Sequence, residues 1–299
     1  MRAESDSYLN LIPNLQTADF ENLMKRFHNN ALNAVSKNLQ SNSILSYSGG
    51  IDSSLLEALA SEASASRIPL LSLAVEGSSD ARMLQGISAP IGQTSLVKCI
   101  VRRTDVEEAV LQVSKLVRVS TLSHFDDCVC FWLIADRVRK LSKASIVVSA
   151  NGPDELYCGY DRFRRILDTK GYDEVEKEIA HALDQASSLR KEVKLVLSKF
   201  GLDSAEPLLD QDFVSFSQSE IPVYYKIIRG NDRLRKRIWR ALGRRLGINE
   251  SVVLRPKKAM QYSMGIHKVV TSLLKRKAIC IDFSFDGGEN ILKTKRAQF

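Results

Sequence analysis

Apolar residues recur along this chain with two different periods. Phe20, Leu23, Met24, Phe27, Ala31, Ala34 and Val35 fall at three- and four-residue intervals, which puts them on one face of an amphipathic helix. Short apolar runs follow at Ile44–Tyr47, Ile68–Val75, Ser95–Val101 and Ala144–Ser149, with helical spacing between them. Runs of this length read as strands, and strands alternating with helices predict a parallel sheet with helices on both faces, an α/β fold. After about residue 165 the strand signal fades. Asp173–Leu197, Asp210–Ser219 and Asp232–Leu246 read as helices joined by polar links such as Gly201–Pro207. The expected organisation is an N-terminal helical segment over 1–40, an α/β domain over 41–165 and a helical region over 166–299, its tail from Asp282 loosely held.

In a parallel sheet of this kind ligands bind beyond the carboxyl ends of the strands. Three chemically rich segments arrive there: Ser46 to Ser54 after the first strand, Glu76 and Gly77 after the second, and Ser149 to Glu155 after the fourth. In the first, Gly49 and Gly50 let a polyanion approach main-chain N–H groups, Ser48, Ser53 and Ser54 add hydroxyl donors, and the next helix turns its positive end to the same spot. Asp52 repels phosphate unless a divalent cation lies between them, which argues for magnesium. The same residues also make an ordinary turn with Asp52 and Ser53 capping a helix, and the loop alone does not decide. The Walker spacing of Gly, four residues, then Gly-Lys-Ser/Thr is missing, which disfavours an ordinary kinase or GTPase.

Ser48-Gly49-Gly50-Ile51-Asp52-Ser53 resembles the pyrophosphate (PP) loop of enzymes that split ATP into AMP and pyrophosphate. Ser149-Ala150-Asn151-Gly152-Pro153-Asp154-Glu155-Leu156-Tyr157-Cys158-Gly159-Tyr160 narrows this. It is similar to the Ser-Gly-x-Gly-x-Asp-Glu-Leu-Phe-Gly-Gly-Tyr signature of the synthetase domain of asparagine synthetases and β-lactam synthetases. Leu71–Asp80, Pro207-Leu208-Leu209-Asp210 and Arg255-Pro256-Lys257 resemble further segments of that family, in order, over roughly residues 40 to 270. The resemblance implies a Rossmann-like PP-loop fold and an amide synthesis through an acyl-adenylate, with ATP and Mg2+ required. It assigns pyrophosphate and ATP binding to Ser46, Ser48, Gly49, Gly50, Asp52, Ser53, Leu73, Ser149, Gly152 and Glu155. Asp52 and Asp154 become the metal ligands, and Lys257 the catalytic cation with Lys258 as its deputy.

Two departures qualify the picture. Asn151 stands where these synthetases usually carry a glutamate, and an amide cannot act as a general base, so the amine step or the substrate is expected to differ. Cys158 replaces a glycine, a change expected to affect packing only. Only about 40 residues precede the loop and Met1 is followed by Arg2, so no glutamine-hydrolysing domain is expected. Nitrogen would come from free ammonia, another amine or a separate glutaminase, and the acyl donor would be a small carboxylate.

Composition adds limits. With 299 residues, 44% hydrophobic, the chain has room for a sizeable core, and five cysteines without a framework fit reduced thiols. No apolar run approaches a membrane span and no signal peptide opens the chain, so a cytoplasmic location is expected. The net charge of +8 suits anionic substrates as well as nucleic acid, and a tRNA-modifying PP-loop enzyme is the alternative, with an ATP-binding protein lacking catalysis as a second. Arg233, Arg235, Arg237, Arg240 and Arg244 read as a solvated helix face rather than an RNA surface. None of the four histidines has metal-ligand spacing, so each is read as structural.

Overall fold

The computed structural model describes residues 18–64, 68–86, 95–230, 234–256, 264–276, 279 and 281. Its strands are β1 (Ser43–Ser46), β2 (Leu70–Val75), β3 (Leu96–Val101), β4 (Ile146–Val148) and β5 (Asp203–Ala205). They form one parallel sheet in the order β3-β2-β1-β4-β5, with Leu45 opposite both Leu70 and Val148, and Val148 opposite Ala205. Sequential neighbours run outward from β1 in one direction and then restart at β4 on its other side. The switch point therefore falls between β1 and β4, where such sheets open a ligand crevice.

The helices are α1 (Ala18–Asn38), α2 (Ile51–Ala63), α3 (Ser79–Gly86), α4 (Arg103–Leu116), α5 (Leu122–Leu141), α6 (Pro153–Leu156), α7 (Asp161–Lys170), α8 (Tyr172–Ser198), α9 (Gln211–Ser219), α10 (Val223–Lys226), α11 (Arg237–Arg245), α12 (Glu250–Val253) and α13 (Ile266–Lys275). They cover both faces of the sheet, and strand alternation divides the core accordingly. Ile44, Leu71, Val101 and Val147 point into a cluster completed by α4, α5 and α13. Their neighbours Leu45, Leu70, Ile146 and Val148 join the opposite cluster with α1, α2, α9 and α11. The amphipathic face expected of α1 is buried as drawn, Phe20, Met24, Phe27 and Val35 each being at most 1% exposed. Its Phe27 packs against Tyr157, Phe213 and Trp239, tying the first helix to the loop after β4 and to α11.

Three expectations need correction. The polar link Gly201–Pro207 contains β5, so the region expected to be all-helical supplies the edge strand. Asp203-Ser204-Ala205 has no apolar alternation; it is a strand because β4 offers a free edge, with Asp203 N donating to Ser145 O at 2.8 Å and Ser149 N to Ala205 O at 3.0 Å. The helix expected from Asp232 begins at Arg237, because Arg235 and Lys236 both take left-handed backbone angles (φ +51° and +52°). Nor is its arginine face solvated throughout: Arg237 and Arg240 are 2% and 1% exposed. Arg240 Nε donates to the carbonyls of Leu234 (3.0 Å) and Arg235 (2.8 Å), and its Nη1 to that of Val253. A guanidinium with five donors can clamp three carbonyls, and here it fixes the approach to Lys236. Arg244, by contrast, pairs with Glu250 at the surface.

Candidate active site

The chain leaves β1 at Ser46 and turns through Gly49, whose φ of +69° is a left-handed angle suited to glycine, into α2 at Ile51. Gly50 has an ordinary extended conformation and caps the helix, so of this pair only Gly49 is conformationally required. The turn is knit by hydroxyls. Ser48 N donates to Ser53 Oγ (3.2 Å), Ser53 Oγ donates to Gly50 O (3.2 Å), and the Ser48 and Ser53 hydroxyls lie 3.1 Å apart. From the far end of the chain Arg255 Nη1 donates to Gly49 O at 3.1 Å. Asp52 and Ser53 thus occupy the first turn of a helix whose N–H groups and positive end face the crevice.

The loop after β4 mirrors this arrangement on the other side of the switch point. Ser149 is nearly buried, Asn151 precedes Gly152, and Pro153 opens α6 with Asp154 and Glu155 in its single turn. Tyr160 OH donates to Glu155 Oε1 at 2.5 Å. Burial, and then the charge of Asp154, push the Glu155 carboxyl above the usual carboxylate range; burial and the Glu155 charge push Tyr160 well above the usual phenol value.

Between the two loops stands Lys236. Its side chain is fully buried, and Nζ lies 2.6 Å from Asp52 Oδ2 and 2.7 Å from Asp154 Oδ1. Two carboxylates from helix starts that follow separate strands therefore converge on the Lys236 ammonium. Gly159 closes over the same point: a Cβ there would lie 1.9 Å from Asp154 Oδ1 and 2.3 Å from Lys236 Cε. The glycine is needed for close approach, while the neighbouring Cys158 tolerates a left-handed φ of +59°.

Two clefts meet at the first loop. One is narrow, a cavity of about 20 Å³ with room for about one water, lined by Ser46, Tyr47, Ser48, Leu71, Ser72, Leu73, Asp80, Leu84, Ile134 and Met264. Its apolar walls, Leu71, Leu73, Leu84, Ile134 and Met264, are of the kind that flank a flat heteroaromatic ring, but the ring enters only if the cleft widens. The other is larger and polar, about 490 Å³, and contains Ser46, Ser48, Asp52, Ser53, Ser149, Asn151, Asp154 and Glu155 together with His124, Asp127, Arg162, Arg165 and Gln185. Ser46 and Ser48 border both, so a ligand spanning the clefts passes over the hydroxyl-rich turn. His124, read as structural, lines the polar cleft; burial, then Arg162, lower its pKa, and Ser120 Oγ lies 3.0 Å from its Nδ1.

The structure thus gathers Ser46, Ser48, Asp52, Ser53, Ser149, Asn151, Asp154 and Glu155 in one cleft, places Leu73 in the adjoining one, and sets Gly49, Gly50 and Gly152 in the connecting turns. Lys257 and Lys258 lie outside the described residues. Sequence reading missed Lys236 and Glu206, and gave Arg255 and Gly159 no role beyond their place in the motifs. Lys236 sits in an arginine-rich run that resembles a surface helix, and no local signal sets it apart. The thiols of Cys128 and Cys130 are buried, and burial pushes both pKa values well up, so neither is a ready nucleophile. No described helix is long and apolar enough to cross a membrane.

The asparagine synthase family model matches residues 33–201. Among curated proteins, a Methanocaldococcus jannaschii protein with the provisional name glutamine-hydrolysing asparagine synthetase 1 is 25% identical over 77% of this chain and 47% of its own length. Asparagine synthetase domain-containing protein 1 of Mus musculus is 33% identical over 50% of this chain and 24% of its own. The chain spans about half the length, or less, of these relatives. A solved NMN synthetase from Francisella tularensis covers 90% of this chain and 99% of its own at 9% identity, with a TM-score of 0.30, too low to carry an argument.

Proposed function

Because this chain belongs to the asparagine synthase family, whose model it matches over more than half its length, we propose that it is an ATP-dependent, AMP-forming amide synthetase. The observation that carries this reading is that Asp52 and Asp154, held together by the Lys236 ammonium between them, lie beside the Ser48–Ser53 turn. Magnesium often binds through one or two carboxylates plus substrate phosphates, and two hard carboxylate donors beside a phosphate-binding turn fit that habit. Among the described residues Asp52 Oδ1 is buried without a hydrogen-bond partner, a further oxygen ligand of the hard kind. Asp52 and Asp154 would hold the ion once the Lys236 ammonium between them had turned to the phosphates of bound nucleotide, and the ion when bound neutralises charge on the pyrophosphate.

The adenine would lie against Leu73, the smaller cleft opening to admit the ring, and the triphosphate would cross the Ser46–Ser53 turn into the polar cleft. There a carboxylate oxygen of the acyl donor attacks the α-phosphorus, the bond to the bridging oxygen breaks, and pyrophosphate leaves into the N–H and hydroxyl donors of Ser48, Gly49, Gly50 and Ser53. The amine then attacks the activated acyl carbon, forming the C–N bond and releasing AMP and a proton. Lys236 supplies positive charge next to the departing pyrophosphate, where a fixed cation stabilises the transition state. Lys257 is proposed for the same task at the α-phosphorus. The acyl donor is a small carboxylate, and nitrogen comes from ammonia, an amine or a separate glutaminase.

The test is pyrophosphate release from Mg-ATP with aspartate alone, with aspartate plus ammonia, and with a panel of small carboxylic acids. Asp52→Asn and Asp154→Asn are expected to lower the rate at least ~100-fold, as loss of one electrostatic stabiliser does. Silence across the panel, or full rates in both variants, would reject the proposal.

A further inference from the structure

Asn151 and Glu206 follow the carboxyl ends of adjacent strands, β4 and β5, and meet beside the polar cleft. Asn151 Nδ2 donates to Glu206 Oε1 at 2.9 Å. Glu206 is 2% exposed, and its second oxygen lies 3.1 Å from Arg190 Nε. Burial raises the Glu206 pKa, while the Asn151 hydrogen bond and Arg190 oppose the rise. A carboxylate paired with a guanidinium only accepts, so it takes the N–H edge of the amide and thereby fixes which way the amide lies. Asn151 borders the cleft and Glu206 stands behind it. The amide oxygen is then the edge left for a ligand.

We propose that Glu206 is a positioning residue that presents Asn151 Oδ1 as a fixed acceptor for an N–H of the incoming amine, and that the second step accordingly takes nitrogen nucleophiles that arrive unprotonated. This rests on the amide-synthetase reading above. An amide oxygen can hold a neutral amine with its lone pair directed at the acyl carbon, but it cannot remove a proton from an ammonium ion. An amine as basic as a lysine side chain is on the order of one part in a thousand free base at neutral pH, whereas hydroxylamine is largely free base. As the C–N bond forms and the bond to AMP breaks, the proton released passes to solvent. Without the Glu206 carboxylate the amide can turn either way, and the oriented acceptor is lost.

The experiment uses the full chain and separates the two half-reactions. ATP–pyrophosphate exchange with L-aspartate, and then with each acid of a small carboxylate panel, reports adenylation; amide formation with hydroxylamine and with ammonia reports the amine step. Hydroxylamine is expected to exceed ammonia at least tenfold at neutral pH in the wild type, and Asn151→Glu to narrow that ratio by supplying a base. Glu206→Gln is expected to raise KM for the amine about tenfold, the worth of one oriented hydrogen bond, while exchange continues. Glu206→Asp should recover part of that loss, which a purely structural role would not predict. If exchange proceeds but the wild-type ratio is near one, another group of the cleft such as His124 takes the proton, and the inference is overturned. An unchanged KM in Glu206→Gln overturns it equally. Absence of exchange with every acid rejects the synthetase reading and this inference with it.

Discussion

Lys236→Met isolates the charge balance at the centre of the site. In the native protein one buried ammonium lies 2.6 Å from Asp52 Oδ2 and 2.7 Å from Asp154 Oδ1, so those oxygens are at most about 5.3 Å apart. Methionine keeps most of the side-chain length and removes the charge. Two like charges at that separation repel by ~3 kcal/mol at an effective dielectric constant of ~20. That figure agrees with the ~3–5 kcal/mol commonly lost when one partner of a buried ion pair is deleted. At ~2 °C per kcal/mol for a chain of this size, the melting temperature should fall by roughly 6 °C. Magnesium alone, without nucleotide, should then restore most of the loss, because the carboxylates are now free to bind it. At a hundredfold excess over its dissociation constant it contributes about 2.7 kcal/mol. The wild type should respond far less, its lysine already holding the same oxygens. The assay is a thermal melt of both proteins with and without magnesium. A variant that melts with the wild type in its absence, or equal magnesium shifts in the two proteins, would refute the argument.

Two further outcomes follow from other positions. Gly159→Ala forces a methyl group onto Asp154 and Lys236, and a displacement of about 1 Å at the reacting centre costs on the order of a hundredfold, so steady-state pyrophosphate release should drop by about that factor. Full activity in this variant would show that the contact yields freely. Lys226, buried with Nζ donating to Ser217 O at 2.8 Å, has its pKa lowered to about 8 by burial. An unfolded lysine titrates near ~10.4, so between pH 8 and that value the unfolded chain binds more protons and the native state gains stability as pH rises. Chemical denaturation at several pH values should show this rise in the wild type and its loss in Lys226→Met; parallel curves would remove Lys226 as the cause.

Apolar periodicity and two short motifs determined much of this protein in advance. The four longer-signalled strands, the face of α1, the loops at Ser48 and Asp154, and the family were legible because each depends on residues close in sequence. A strand buried on both faces needs only its own run of Leu, Ile and Val, and a phosphate turn only its own glycine and hydroxyls. Tertiary structure decided the rest. β5 exists because β4 had an edge to pair, not because Asp203-Ser204-Ala205 prefers extension. Arg240 is buried because three carbonyls 6, 5 and 13 residues away share its guanidinium. Lys236 reaches Asp52 across 184 residues, and Glu206 reaches Asn151 across 55. Such pairings depend on where the sheet order places strand ends, and a charge among other charges carries no local mark of the partner it will meet.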